Sequence, residues 1–83
     1  MRVTVKYFAG IREAIGLGSE LRDTQATTLA ALRDELIGQG GAYAESLARG
    51  KAVRLALNQV MVDETVALPD GGEVAFFPPV TGG

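Results

Sequence analysis

Only one stretch of this chain repeats its apolar residues at the period of a substantial helix, and that restricts the fold to a sheet covered on one side. Leu29, Leu32 and Leu36 fall at i, i+3 and i+7 of Leu29-Ala30-Ala31-Leu32-Arg33-Asp34-Glu35-Leu36-Ile37, a single apolar stripe on a helix surface. Thr28 stands before the run as a hydroxyl N-cap. Gly38, Gly40 and Gly41 follow it and are expected to end the helix in left-handed cap conformations. Most of the remaining chain alternates with period two. Arg2 to Phe8 places Val3, Val5 and Tyr7 on one face and Thr4, Lys6 and Phe8 on the other, the pattern of a half-buried strand. Val53-Arg54-Leu55-Ala56-Leu57-Asn58 repeats it with Val53, Leu55 and Leu57 inward. Glu73-Val74-Ala75-Phe76-Phe77 is the last strand, stopped by Pro78-Pro79, which cannot donate to a ladder.

Weaker signals fill the gaps. Ile11 to Ile15 allows one helical turn before Gly16-Leu17-Gly18, and Ala42 to Ala48 adds a short second helix. Ser19 to Gln25 reads as a polar edge strand. Val60-Met61-Val62 and Thr65 to Leu68 are short apolar pieces about a turn at Asp63-Glu64, and Pro69-Asp70-Gly71-Gly72 is a strong turn signal. With 83 residues the chain holds one domain. One main helix on a four- or five-stranded sheet makes it α+β with an open face. The domain spans 1–79, and 80–83 form an extended tail.

The open face is where strand alternation points to function. If Val74 and Phe76 face the helix, Ala75 and Phe77 face away, with Phe8 and Ala56 on neighbouring strands. Three sequence-distant strands then supply a small, uncharged, partly aromatic patch, and patches of this kind mark docking sites. Arg12, one helical turn beyond Phe8, belongs beside it as an interface residue.

Composition removes most other chemistries. The chain has no Cys, His or Trp, which excludes Cys/His zinc sites, thiolate-held clusters, disulfides, a Cys nucleophile and a His base. Eight basic residues against ten acidic ones give a net charge of −2, the wrong field for nucleic acid as a main partner. No apolar run approaches the length of a membrane span, and the alternating start at Met1 to Lys6 lacks a signal-peptide core. A cytoplasmic protein with no membrane partner is expected.

Glycine is in excess, 11 of 83 residues, and two of them end the chain. At ordinary glycine usage a Gly-Gly terminus arises by chance in roughly one chain in 200. Pro78-Pro79 launches the last residues in a stiff, extended direction, and the six residues from Pro78 span about 20 Å when extended. Gly82 and Gly83 lack a Cβ, so their backbone passes through a slot too narrow for other residues. Pro79, Val80, Thr81 and Gly82 are read as a tail inserted into a partner, with Pro78 at the docking surface and the Gly83 carboxylate delivered deepest. An α-carboxyl with pKa about 3.3–3.7 is an anion at neutral pH, so any chemistry at it needs prior activation, most simply by ATP to an acyl-adenylate.

A helix on a curved sheet with a projecting Gly-Gly resembles the ubiquitin-like β-grasp family. Within it, Glu73-Val74-Ala75-Phe76-Phe77-Pro78-Pro79-Val80-Thr81-Gly82-Gly83, Tyr7-Phe8-Ala9-Gly10-Ile11-Arg12-Glu13, Leu57-Asn58-Gln59 and the Thr28-to-Leu36 helix start are similar to the small subunits of molybdopterin synthase. The resemblance implies a mixed four- to five-stranded sheet with one main helix and a flexible Gly-Gly tail. It also implies a sulfur-carrier cycle. An E1-like enzyme would adenylate Gly83 with ATP and magnesium. A sulfurtransferase would convert the adenylate to a thiocarboxylate. The tail would then enter the large synthase subunit in a complex of two small and two large subunits, and donate sulfur to a cyclic pyranopterin. No cofactor would be bound by the carrier, which is not catalytic alone. Thiolation in thiamine synthesis or another pathway, and a ubiquitin-like protein modifier, remain open alternatives.

Other motifs carry less. Gly16-Leu17-Gly18 lacks the third glycine of a dinucleotide fingerprint, and Gly50-Lys51 lacks the rest of a phosphate loop. Asp34-Glu35 and Asp63-Glu64 read as solvated helix and turn positions, and Arg49, Lys51 and Arg54 as a solvated basic face.

Overall fold

A computed structural model describes residues 1–79 of the chain; the expectations for Val80, Thr81, Gly82 and Gly83 lie outside the described residues. The elements run β1 (Arg2–Tyr7), α1 (Ala9–Ile15), β2 (Ser19–Asp23), α2 (Leu29–Ile37), α3 (Gly41–Leu47), β3 (Arg54–Leu57), β4 (Val60–Val62) and β5 (Glu73–Phe77). The sheet has five strands in the order β2-β1-β5-β3-β4. β1 and β5, from the two ends of the chain, lie side by side and parallel, while the other neighbours are antiparallel. The sheet is therefore mixed, as expected.

Register decides which face is covered. Val5 pairs with Val74 and Tyr7 with Phe76 in the central ladder, so Val3, Val5, Tyr7, Val74 and Phe76 share one face and are buried. Leu29, Leu32 and Leu36 of α2 lie against that face with no exposed surface. The expectation of one main helix needs enlarging, because Ile11 of α1 and Leu47 of α3 enter the same core. Both helices are only seven residues long, too short to hold themselves together in water without tertiary packing. α1 ends at Gly16, whose left-handed φ of 91° turns its N–H back to the Arg12 carbonyl.

Two local readings change. Gly38 is right-handed, φ −62°, and simply extends α2; the left-handed residues are Gly40 and Gly41, which turn the chain into α3. Thr65 to Leu68 forms no strand but makes a single bridge between Thr28 and Ala67. Its position has a physical cause, since the first N–H groups of a helix lack intrahelical partners. Leu29 N–H donates to the Val66 carbonyl, Ala30 N–H to the Glu64 carbonyl, and Ala31 N–H to Thr28 Oγ1 at 3.1 Å. The segment after β4 thus caps α2. Between β3 and β4, Asn58 and Gln59 both take positive φ, 50° and 71°, the requirement of a two-residue type I′ hairpin loop.

Candidate docking face and tail exit

The uncovered side of the sheet is built by the residues alternate to the core. Lys6 pairs with Ala75, Ala56 with Ala75, and Ala56 with Met61, so one row crosses four strands on this face. Phe8, one residue past β1, stacks on Phe77 at the end of β5, with ring centroids 4.5 Å apart and planes 7° from parallel. The two rings and Met61 wall a hollow of about 260 Å³ floored by the two alanines. Lys6 and Glu73 pair at 3.0 Å and close its far side.

The expected partner-binding residues do not all reach the surface. Phe8 and Arg12 are exposed, Phe77 and Pro78 are half-buried, and Pro79 is exposed. Ala75 and Ala56 are 7% and 3% open, sunk beneath their longer neighbours. They set the depth of the hollow rather than offering contact area. Arg12 leans over Gly18, where an added Cβ would stand 3.1 Å from its Nε, and it shares a shallow hollow with Phe8 and Ser19. Sequence reasoning passed over Met61, which is 53% exposed. Its signal was the alternation of Val60-Met61-Val62 together with a register that only the folded sheet supplies.

The β1–β5 ladder ends where Phe8 N–H donates to the Phe76 carbonyl. Pro78 and Pro79 then leave the sheet beside a second hollow of about 460 Å³, lined also by Ile11, Ala14, Ser46 and Lys51. The aromatic stack and the tail exit therefore sit at one end of the domain.

The polar side chains on the helix side are taken up by the fold. Glu20 on β2 accepts from both Tyr7 and Tyr43 hydroxyls at 2.7 Å on the same oxygen. Burial, then the bond to Glu20, hold the Tyr7 hydroxyl protonated far above the usual phenol range, and the same causes raise Tyr43. Arg33 is 4% exposed and donates to the carbonyls of Leu47, Ala48 and Lys51 and to Glu64 at 2.8–3.2 Å. Three of the four adjacent acids are ion-paired rather than merely solvated: Glu35 binds Arg22 at 2.6 Å, Asp34 binds Arg49 at 2.8 Å, and Glu64 binds both Arg33 and Arg49, while Asp63 is the exposed turn position expected and accepts from the Thr65 N–H. Burial works against the Glu35 charge, but hydrogen bonds from Arg22 and Thr24 outweigh it and hold the carboxyl below its usual range. Among the described residues no three carboxylates converge where a metal ion could sit, and no helix is long and apolar enough to cross a membrane. The open face offers shape and apolar area rather than a nucleophile with its base.

Known proteins share this arrangement over the whole chain. The chain is 41% identical over 81 residues to the molybdopterin synthase sulfur carrier subunit of Escherichia coli, covering 98% of this chain and 99% of that one. A solved complex of subunits 1 and 2 of the molybdopterin-converting factor from Helicobacter pylori contains a chain 30% identical to it, with a TM-score of 0.69 and full coverage of both. The crystal structure of SAMP1 from Haloferax volcanii superposes with a TM-score of 0.78 at 25% identity, again covering both chains fully. These neighbours confirm the α+β, ubiquitin-like β-grasp layout. The ThiS family model matches residues 5–83, and the chain belongs to the ThiS family.

Proposed function

We propose that this chain is the sulfur carrier subunit of a molybdopterin synthase. The observation that carries the reading is its 41% identity, end to end, with a relative of that name. The geometry supports it. The chain leaves the sheet at Pro78-Pro79, beside an aromatic stack with no covering element among the described residues, so a partner that seats on the stack also receives whatever follows Pro79.

In this reading the Gly83 carboxylate oxygen attacks the α-phosphorus of ATP on an E1-like enzyme that uses magnesium, and pyrophosphate leaves. A sulfur nucleophile delivered by a sulfurtransferase then displaces AMP to give the thiocarboxylate. Adenylation is needed because a carboxylate is a poor electrophile, and sulfur is retained until the tail enters the large subunit and meets a cyclic pyranopterin. The carrier binds no cofactor of its own, and the cycle runs in the cytoplasm. Val80, Thr81 and Gly82 thread the partner's channel, while Phe8, Arg12, Phe77 and Pro78, over the alanine floor at Ala75, make the seat.

A second reading, a ubiquitin-like protein modifier, is favoured by the fold match at TM-score 0.78 to SAMP1, the small archaeal modifier protein 1 of Haloferax volcanii. The two readings separate on one measurement, the intact mass of the protein from its own cells. Replacing a carboxylate oxygen with sulfur adds about 16 Da, as does oxidation of Met1 or Met61, so a Gly82-Gly83 deletion serves as the control. A labile adduct present in the full chain and absent from the deletion supports the carrier. An unmodified carboxylate with ladders of larger conjugates refutes it in favour of the modifier.

A further inference from the structure

The chain has eight Lys and Arg residues, and their pairing divides by place. Arg2, Lys6, Arg22, Arg33 and Arg49 each hold an acid within 3.0 Å, on Asp23, Glu73, Glu35, Glu64 and Asp34 respectively. Arg12, Lys51 and Arg54 hold none among the described residues, and all three are exposed. These three come from α1, the loop after α3 and the first residue of β3, yet the fold gathers them at one end. Arg12 lines the hollow beside Phe8, Lys51 lines the one beside Pro78 and Pro79, and Arg54 stands opposite Phe77 in the β3–β5 ladder. Of the acids beside them, Glu13 follows Arg12 on α1, and Asp63 and Glu64 line a hollow with Arg54, but none forms an ion pair with the three, Glu64 being held by Arg33 and Arg49.

We propose that Arg12, Lys51 and Arg54 form a basic collar around the tail exit, and that it seats against an acidic rim on the protein that accepts the tail. The inference rests on the sulfur-carrier reading and adds the chemistry of the partner's surface. The arrangement is that of a protein–protein interface, with an apolar aromatic centre and charges at its edge. Nucleic acid fits poorly, because its evenly spaced phosphates would have to cross the uncharged Phe8–Phe77 stack to reach all three cations. Rim charges of this kind act on the rate of encounter more than on the lifetime of the complex. The collar's work is then to orient an otherwise acidic molecule so that its tail end meets the partner first.

The test measures association and dissociation rates with purified large subunit of molybdopterin synthase across ionic strength. The variants are Arg12→Gln, Lys51→Gln and Arg54→Gln, singly and combined, with Arg2→Gln at the opposite end of β1 as the control. The expected result is that the combined variant associates roughly tenfold more slowly at low salt and merges with wild type at high salt. Its dissociation rate changes less than about threefold, and Arg2→Gln has little effect. A combined variant with the wild-type rate and salt slope overturns the collar while leaving the carrier reading intact. Equal slowing by Arg2→Gln also overturns it, since net charge and not position would then be at work. A wild-type chain that fails to bind the large subunit at any salt overturns the carrier reading, and the collar falls with it.

Discussion

Replacing Glu20 with alanine tests whether the two tyrosines and their shared carboxylate hold the edge strand to the core. Glu20 lies opposite Val5 in the β1–β2 ladder and faces the helices, and its Oε2 receives both hydroxyls at 2.7 Å. Hydrogen bonds to a charged group contribute about 1.5–3 kcal/mol each. Tyr43 is half-buried and recovers water when the carboxylate is lost, so its share is small. Tyr7 is 1% exposed, stacked on Phe76 at 6.1 Å and set edge-on to Tyr43 at 6.0 Å, so its hydroxyl is stranded at a cost of about 1–3 kcal/mol. Together the loss is about 1–4 kcal/mol, a fall in Tm of roughly 5–30 °C for a domain of this size. With two tyrosines and no tryptophan in the chain, tyrosine fluorescence during urea unfolding reports on this cluster directly. The decisive comparison is a double-mutant cycle with Tyr7→Phe, which removes the stranded hydroxyl. Glu20→Ala is expected to cost at least about 1 kcal/mol less in the Tyr7→Phe background. An identical cost in both backgrounds refutes the account, because the energy would then come from something other than the Tyr7 bond.

Two further expectations concern the open face and alkaline pH. Phe77→Asp is expected to weaken large-subunit binding by roughly 30-fold or more, about 2 kcal/mol, while costing the isolated domain only about 0.5–1.5 kcal/mol for the lost ring pair; titration calorimetry beside thermal unfolding checks both, and an unchanged Kd excludes Phe77 from the seat. Because burial and the Glu20 bond raise the Tyr7 pKa in the folded chain, the stability linked to it is complete below the unfolded value of about pH 10 and is lost as pH rises from there toward the folded value. Urea midpoints should hold up to about pH 10 and then fall, less steeply in Tyr7→Phe, and equal slopes in the two proteins would contradict the assignment.

The parts of the molecule that were legible in sequence are those whose cause is local. The stripe of Leu29, Leu32 and Leu36 and the hydroxyl of Thr28 place α2 without reference to any other segment. Alternation through Val74-Ala75-Phe76-Phe77 settles which side chains meet the helices, and the same alternation exposes Phe8. The less legible parts depend on partners distant in sequence. Gly38 was read as a left-handed stop, but its N–H still finds the Asp34 carbonyl, so the helix gains a bond by continuing. Thr65 to Leu68 has the composition of a strand, yet the start of α2 takes the Val66 carbonyl and that of Glu64 just before it, and Leu68 N–H donates to the Thr27 carbonyl. Arg33 falls within an amphipathic helix at what reads as a polar position. It is buried because three carbonyls from Leu47, Ala48 and Lys51 converge on it, a meeting that no periodicity encodes.

This partition has a consequence for how the domain tolerates change. The polar groups that tie the helices to the sheet are Glu20 with its tyrosines and Arg22 with Glu35, and Arg33 ties α2 to α3 and the loop after it. All of them lie on the covered side. On the open side Phe8 and Phe77 stack on each other, and at that end of the domain Arg12, Lys51 and Arg54 hold no acid among the described residues. Stability and docking therefore draw on separate sets of side chains. A domain of 83 residues has little stability to spare, and a face that carried both duties could not be reshaped for a partner without approaching unfolding. With the duties apart, the docking residues are free to change in charge or size at small cost to the fold. Substitutions at Glu20 or Arg33 remove folded protein before they alter binding.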